Sequence, residues 1–530
     1  MEVIKVLTAV LFALVILGAR NIQARPSNES DFYTAGVLEY HYLLSNTSLR
    51  DSVDLNLNEY IRFIELAKRK NVDVLVFPEG TLNYDFLDTR DELIDNAVVT
   101  PDPKLKIAPY KHKDKYSWIL AKLSQAAKDN QIYVLVNVVE KVPCTADSVA
   151  CKPPYNVHHD GYSLYNTNVV FDRKGRIISR YRKVNLYIEP EMDDVVDQPL
   201  PIFETDFGVK FGHFICFDIM FKYPARVLVQ QENITNILYP TYWYAGLPFF
   251  IAETIHQGWA YSNNVNFMVS GANAPQTGTT GSGIYLGRKR IQATLTKPYP
   301  IRELFVAKVP KNIRTDVELE QPQIRKESSP ADLLRLYVNE SWEHQNSVIY
   351  PIVEPQETIC VDNNKLCCTV EVKRKYLPVP EGASSYNYML TVNYTKKLYI
   401  EKRNVGEITC AIIACTGETT DTCGGRFHLD NEVQRIEFEH IKITTKIHSD
   451  QYEEVMVIPN IVPTRLSPFD VSNFTLSEID VSGDPRHRHK SFTLESTATV
   501  PEFLVYGILG RDFGMDNDRM EDIARHHTKS

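Results

Sequence analysis

The sequence predicts an α/β sandwich domain followed by a smaller, β-rich, disulfide-stapled domain. Two observations carry the first half. Strand and helix patterns alternate from residue 31 onward, and the strands are continuous apolar runs, as in a sheet covered on both faces. A third observation carries the second half. Beyond Glu357 the text turns rich in Thr, Val and Tyr, and six of the nine cysteines crowd into 360–423. A length of 530 residues exceeds what one core supports and calls for two or more domains. Charged residues make up 24% and hydrophobic ones 43%, an ordinary globular mixture. The net charge is -9 and no basic stripe appears, which excludes a nucleic-acid footprint.

Taken in order, the chain opens with Lys5, an apolar run over 6–17, and small residues at Gly18, Ala19 and Ala24. That run is too short to span a bilayer and predicts a secretory signal peptide over 1–24. Residues 31–42 read as the first strand. Asn56 is placed to cap a helix over 57–70, with Leu57, Tyr60, Ile61, Ile64 and Ala67 on one face. The run 72–77 (VDVLVF) is a buried strand that leads straight into Pro78-Glu79-Gly80. A carboxylate there stands at a strand's carboxyl end, where α/β proteins build their sites. A helix follows over 116–129, then a strand over 132–139 (IYVLVNVV). Strands at 166–171 and 176–181 flank Asp172-Arg173-Lys174-Gly175, a hairpin signal that delivers Arg182, Lys183 and Asn185 at its far end.

The stretch 209–220 (VKFGHFICFDIM) is an apolar strand that stops at Cys216 and turns polar at Asp218. A strand that turns sharply into a helix lifts a terminal sulfur into a cleft and aims helix N–H groups at it, which favours thiolate. A helix over 223–231, a strand over 234–239, a helix over 250–263 and a strand over 267–272 come next. A Gly- and Ser-rich loop spans 277–284. The first domain is expected over 31–311, a polar connector over 312–356, the β-rich domain over 357–515 and a polar tail over 516–530.

Two features agree with export. Sequons stand at Asn28, Asn46, Asn233, Asn339, Asn393 and Asn473. The cysteine count is odd: Cys144, Cys151, Cys360, Cys367, Cys368, Cys410, Cys415 and Cys423 fall in two tight groups, while Cys216 stands alone. In an oxidising compartment the simplest pairing is four disulfides, with Cys144–Cys151 a local bridge, and one free thiol at Cys216. A metal site is not expected. His158-His159 and His487-Arg488-His489 lack partners at ligand spacing.

Glu79, Lys183 and Cys216 each stand at the end of an apolar segment. Together they meet the demands of amide hydrolysis: a thiolate nucleophile, a base that returns its proton to the leaving amine, and a cation for the oxyanion. With these residues the chain resembles the nitrilase superfamily, and within it the vanin and biotinidase family. The matching text is FPEG at 77–80, YRKVNLY at 181–187, FGHFICFDIMF at 211–221, YPTYW at 239–243 and GSGIY at 281–285. It continues through KLCCTVEV, ITCAIIAC and RFHLD in the second domain.

The resemblance implies a nitrilase-type α-β-β-α sandwich and a Glu79–Lys183–Cys216 triad. Glu79 is then general base and acid, Lys183 holds the oxyanion, and Cys216 is the nucleophile. The backbone N–H of Phe217 completes the oxyanion site. A second glutamate follows the lysine in many members; Glu189 and Glu191 are both in range, and the sequence leaves both open. The implied activity is a secreted, extracellular amidohydrolase acting on a small-molecule amide without metal or cofactor. Pantetheine, cleaved to pantothenate and cysteamine, is the first substrate, with biotin amides as the alternative. A non-catalytic extracellular binding module on the same scaffold is the alternative of another class. The terminal text RMEDIARHHTKS has no apolar tail, so no lipid anchor is expected.

Overall fold

The computed structural model describes residues 30–83, 89–324, 337–338, 348–352, 355–399, 403–428, 434–448, 454–481 and 489–516. The leader over 1–24, Asn28, Asn339 and residues 517–530 lie outside them. The first domain is an α-β-β-α sandwich. Strands β1 (Phe32–Tyr40), β2 (Val74–Val76), β3 (Tyr133–Pro143), β4 (Tyr162–Phe171) and β5 (Ile177–Arg182) pair in that order. The pairs from β1 to β3 are parallel, and the last two are antiparallel. Strands β6 (Ile202–Glu204), β7 (Lys210–His213), β8 (Asn236–Thr241), β10 (Asn266–Ala272), β11 (Ser282–Leu286) and β12 (Arg290–Leu295) build the facing sheet. Strand β13 (Arg302–Pro310) pairs antiparallel with all of β1. The short β14 (Gln323–Ile324) pairs with β12, and β9 (Gly246–Leu247) pairs with β15 (Tyr337–Val338).

The apolar runs read as they do because both faces of each strand are covered. Val74 and Val76 join the core between the sheets, with Phe211, Leu238, Met268 and Phe305. Leu75 and Phe77 point the other way, against helices α1 (Leu49–Arg69) and α3 (Trp118–Asn130). On the far side, Phe214, Tyr239 and Phe267 pack against Ile255, Trp259 and Ala260 of α4 (Ala252–Asn263). A short helix, α2 (Arg90–Asn96), lies between α1 and α3 in sequence and carries a Thr89 capping box.

Three local expectations are corrected. Helix α1 begins at Leu49 with Ser48 as its cap, not at Leu57. Asn56 is a buried mid-helix residue: its oxygen accepts from the Tyr40 hydroxyl at 2.9 Å, and its amide donates to the Leu43 carbonyl at 2.8 Å. Between 223 and 231 only Val227–Gln230 forms a regular turn. Pro224 disfavours helical geometry at Tyr223, which stays extended. The 277–284 loop is half strand: β11 takes its end, and buried Thr280 and Ser282 both donate to Glu39.

The β-rich domain holds two five-stranded antiparallel sheets. One runs β16 (Val348–Pro351), β19 (Asn387–Tyr399), β20 (Arg403–Cys415), β25 (Phe503–Asp512) and β22 (Val455–Pro463). The other runs β17 (Gln356–Val361), β18 (Leu366–Tyr376), β21 (Ile436–Ile447), β24 (His489–Ser496) and β23 (Phe474–Val481). Disulfides join Cys360 to Cys367, Cys368 to Cys410 and Cys415 to Cys423; Cys144 joins Cys151 in the first domain. Strand β22 lies on α4, which explains why that helix is buried all round. Asn460 donates to the Phe249 carbonyl at 2.9 Å, and a Cβ on Gly258 would sit 2.4 Å from the Pro459 carbonyl oxygen.

Burial pushes the carboxyls of Glu39 and Glu253 up to about 7. The folded chain therefore keeps protons that the unfolded chain releases above its ordinary glutamate range, so stability falls as pH rises from about 4.5 to 7. Glu140 has the opposite sign. Despite burial, Arg182 and Arg180 draw its carboxyl below the ordinary value, and its contribution is lost only as pH falls below that range. Buried His213 and His256, pushed down to about 3 by desolvation, work the other way as pH rises toward the ordinary histidine range. The Glu253 part is isolated by Glu253→Gln, whose unfolding free energy is expected to gain on the wild type's by up to roughly 3 kcal/mol between pH 4.5 and 7. Unfolding of wild type and Glu253→Gln measured across pH reads the difference; a difference that stays level over that range contradicts it.

Candidate active site

Glu79 follows β2, Lys183 follows β5 and Cys216 follows β7, so two of the groups come from one sheet and the third from the other. All three are buried: Glu79 is 1% exposed, Lys183 2% and Cys216 6%. Lys183 Nζ donates to Glu79 Oε1 at 2.7 Å and to Glu189 Oε1 at 2.5 Å. Burial alone would strip the ammonium of its proton, but Glu189 and Glu79 hold its pKa well above the ordinary lysine value. The structure thus chooses between the two later glutamates. Glu189 enters the site, whereas Glu191 presents its backbone carbonyl to Arg90. Arg90 also pairs with Asp193 at 2.8 Å, which ties down the loop that carries Glu189.

Asn166, on β4, binds both carboxylates with one amide group. Its Nδ2 donates to Glu79 Oε1 at 2.8 Å and to Glu189 Oε2 at 2.7 Å. Asn137 on β3 fixes that amide by donating to its oxygen at 2.7 Å, and accepts from the Gly80 N–H at 3.0 Å. Burial raises the Glu189 carboxyl, Lys183 pulls it down and Glu79 raises it further. Glu79 Oε2 accepts from the Tyr242 N–H at 2.7 Å, and the Tyr242 carbonyl accepts from the Cys216 thiol at 3.7 Å. The backbone of Tyr242 thus touches both the carboxylate and the sulfur.

Cys216 has φ +44°, a left-handed conformation that a cysteine adopts only when its surroundings impose it. Asp218 and Tyr239 supply that constraint. Asp218 Oδ2 accepts from the Ile215 N–H at 3.0 Å and the Tyr181 hydroxyl at 2.9 Å. Its Oδ1 accepts from the Asn185 N–H at 3.0 Å and the Asn185 amide at 2.8 Å. One carboxylate therefore joins the Cys216 turn to the segment that follows Lys183. Burial pushes Asp218 up to about 6. Tyr239 donates to the Cys216 carbonyl at 2.8 Å.

The expected helix after Cys216 is a five-residue turn, Cys216–Met220. The resting sulfur is not favoured as thiolate either. Burial, then the Glu79 charge, pushes the Cys216 thiol up, and Lys183 opposes them without cancelling them. The surroundings of the sulfur therefore favour the thiol over the thiolate. Cys216 is the free cysteine among the described residues. The Phe217 ring packs edge-on against Tyr187 at 4.9 Å and Phe221 at 5.0 Å. Of the sequons, Asn46 and Asn233 are exposed, Asn473 is half-buried, and Asn393 lies buried in β19.

Reading the sequence assigned no place in the polar network to Asn137, Asn166, Asp218, Tyr239 and Tyr242, although the last three fall within the matching FGHFICFDIMF and YPTYW text. The asparagines left a signal: Asn137 is a lone amide in the apolar run of β3, and Asn166 stands with Thr167 and Asn168 in the mostly apolar β4, where unpartnered polar groups are costly. The tyrosines left none, since a Tyr in a buried strand ordinarily serves packing.

Residues 50–248, which include all three groups, match the carbon-nitrogen hydrolase family model, and residues 343–516 match the vanin C-terminal domain. The chain is 32% identical to Vanin-like protein 1 of Drosophila melanogaster over 97% of its own length and 91% of that protein's. It is 35% identical to a pantetheinase of Homo sapiens over 48% of this chain and 50% of that one. It is 29% identical to the biotinidase of Mus musculus over 75% and 81% respectively.

Alkylation after unfolding without reductant is expected to label Cys216 and no other cysteine. In the native protein at neutral pH that labelling should be slower than for an exposed thiol, because only thiolate reacts. Peptide mapping and timed labelling check both; a disulfide through Cys216 contradicts the assignment.

Proposed function

The chain belongs to the vanin family of carbon-nitrogen hydrolases and is an amide hydrolase; from that premise we propose that it cleaves pantetheine to pantothenate and cysteamine outside the cell. Export is supported by the disulfide-rich second domain, the exposed sequons and the apolar leader. Cys216 Sγ attacks the amide carbonyl carbon while Glu79 takes the thiol proton. The carbonyl oxygen becomes an oxyanion held by Lys183 and the Phe217 N–H. Collapse breaks the C–N bond, Glu79 returns the proton to the departing amine, and the acid half stays on sulfur as a thioester. Glu79 then deprotonates a water that attacks the thioester, and the thiol is restored as the acid leaves.

The carrying observation is the ammonium of Lys183. It has three N–H donors, and two are spent on Glu79 and Glu189. The third is left for the oxyanion, and both carboxylates keep the charge in place against burial. Glu189 therefore orients the cation and is proposed as a positioning residue. Biotin amides are the second reading, favoured by the likeness to a biotinidase.

Turnover of pantetheine and of a biotin amide, measured side by side on the purified chain, separates the two substrates. Cys216→Ala should abolish either activity, since no neighbouring group can form the acyl intermediate. Glu79→Gln should cost about 10²–10⁴ in kcat, and Lys183→Met on the order of 10²–10³. The losses should not add, because all three serve one step. Hydrolysis of neither amide contradicts the proposal, and preference for the biotin amide moves it to the second reading.

A further inference from the structure

We propose that Arg511, in the β-rich domain, is a positioning residue for the nucleophile turn of the first domain. The inference rests on Cys216 being the nucleophile. Arg511 lies near the end of β25 and is 2% exposed. Its Nε donates to the Gly406 carbonyl at 2.9 Å, and its Nη2 donates to both oxygens of Asp516 at 2.7 and 2.6 Å. These bonds fix the guanidinium within its own domain. Its Nη1 crosses the interface and donates to the carbonyl of Met220.

Met220 is the last residue of the Cys216–Met220 turn. Carbonyls at the end of a helical turn lack partners within it and need a donor from elsewhere. Asp218 and Tyr239 hold the beginning of this turn, at Ile215 and Cys216. Arg511 holds its end. The guanidinium also lies 5.1 Å from the ring centre of Phe221 and 5.2 Å from that of Phe513. Phe221 packs on Phe217, so the contact runs on to the residue whose N–H is the proposed oxyanion donor.

Stability alone is a weak reason for such an arrangement. A buried ion pair is often no better than apolar residues of the same volume. The surroundings also make the end of the turn sensitive to this bond. A small apolar gap lined by Ile219, Met220, Trp259, Met456, Leu509 and Arg511 lies beside it. Without the guanidinium the turn has room to settle into that gap and carry the sulfur with it. The domains themselves hold their register through Gly258 against Pro459 and through Asn460. The β-rich domain thus supplies one of the bonds that hold Cys216 in its left-handed conformation.

The test compares full-length wild type, Arg511→Met, Arg511→Lys and Asp516→Asn, each normalised to the amount of Cys216 that can be alkylated. Arg511→Met should lose on the order of tenfold to hundredfold in kcat, the scale of a small misplacement of a reacting group, with KM little changed. Arg511→Lys, which keeps one donor for the Met220 carbonyl, should recover part of it. The alkylation rate of Cys216 should change severalfold in Arg511→Met. A merely structural role would lower the thermal midpoint and leave kcat per folded molecule at the wild-type value, which overturns the proposal. If Arg511→Met does not fold, Asp516→Asn decides: it loosens the guanidinium, so kcat should fall with KM unchanged, and wild-type kcat overturns the proposal. Should the wild type hydrolyse neither amide, the function assigned above is wrong. The alkylation rate then carries the test by itself, and an equal rate in Arg511→Met overturns the positioning role.

Discussion

The ammonium of Lys183, buried between Glu79 and Glu189, is the contact on which the first domain's candidate site depends. It draws together the end of β2, the end of β5 and the loop over 185–191. Two carboxylates share one cation in a buried site. Asn166 adds an amide group shared by both carboxylates. Removing one partner from such a cluster typically costs about 3–5 kcal/mol, because the remaining charge is left buried without compensation. The same cluster gives the chemistry its shape. It keeps the cation charged and spends two of its three donors, and the proposed mechanism gives the third to the oxyanion.

The sulfur is governed by a different constraint. Cys216 must sit at positive φ at the tip of β7, and a thiol in so buried a place does not ionise readily. The fold meets the first demand with hydrogen bonds to the turn from Asp218, Tyr239 and Arg511. It meets the second by placing Glu79 and Cys216 on the backbone of one residue, Tyr242. Because Arg511 belongs to the β-rich domain, the two domains are joined at the point where small displacements matter most.

Much of the fold was legible in the sequence, for a plain reason. Runs such as 72–77 and 132–139 are apolar on both faces only when layers cover both faces, so the sandwich follows from them. Helix α1 was cut short because its first two turns are polar, and polarity hides a helix whose outer face meets water. Strand β13 was missed because its partner, β1, lies far away in sequence, and no local pattern reports that distance. In the site, Glu79 and Cys216 could be singled out because each ends an apolar strand, whereas Lys183 follows the charged end of β5 and was marked by the resemblance of YRKVNLY. The choice between Glu189 and Glu191 could not be made. It turns on the left-handed backbone of Ile188, which sends Glu189 inward, and an isoleucine gives no warning of that conformation. Arg511 was invisible for the same reason as β13, since its target lies in another domain.

The most direct test of this account is the mass of the peptide that carries Cys216. Wild-type protein mixed with a slowly hydrolysed amide and quenched in acid should show that peptide heavier by the acyl half of the substrate. Glu79→Gln should accumulate little or none of it, and Cys216→Ala none. Turnover without any acyl group on Cys216, or an acyl group on another residue, would contradict the account.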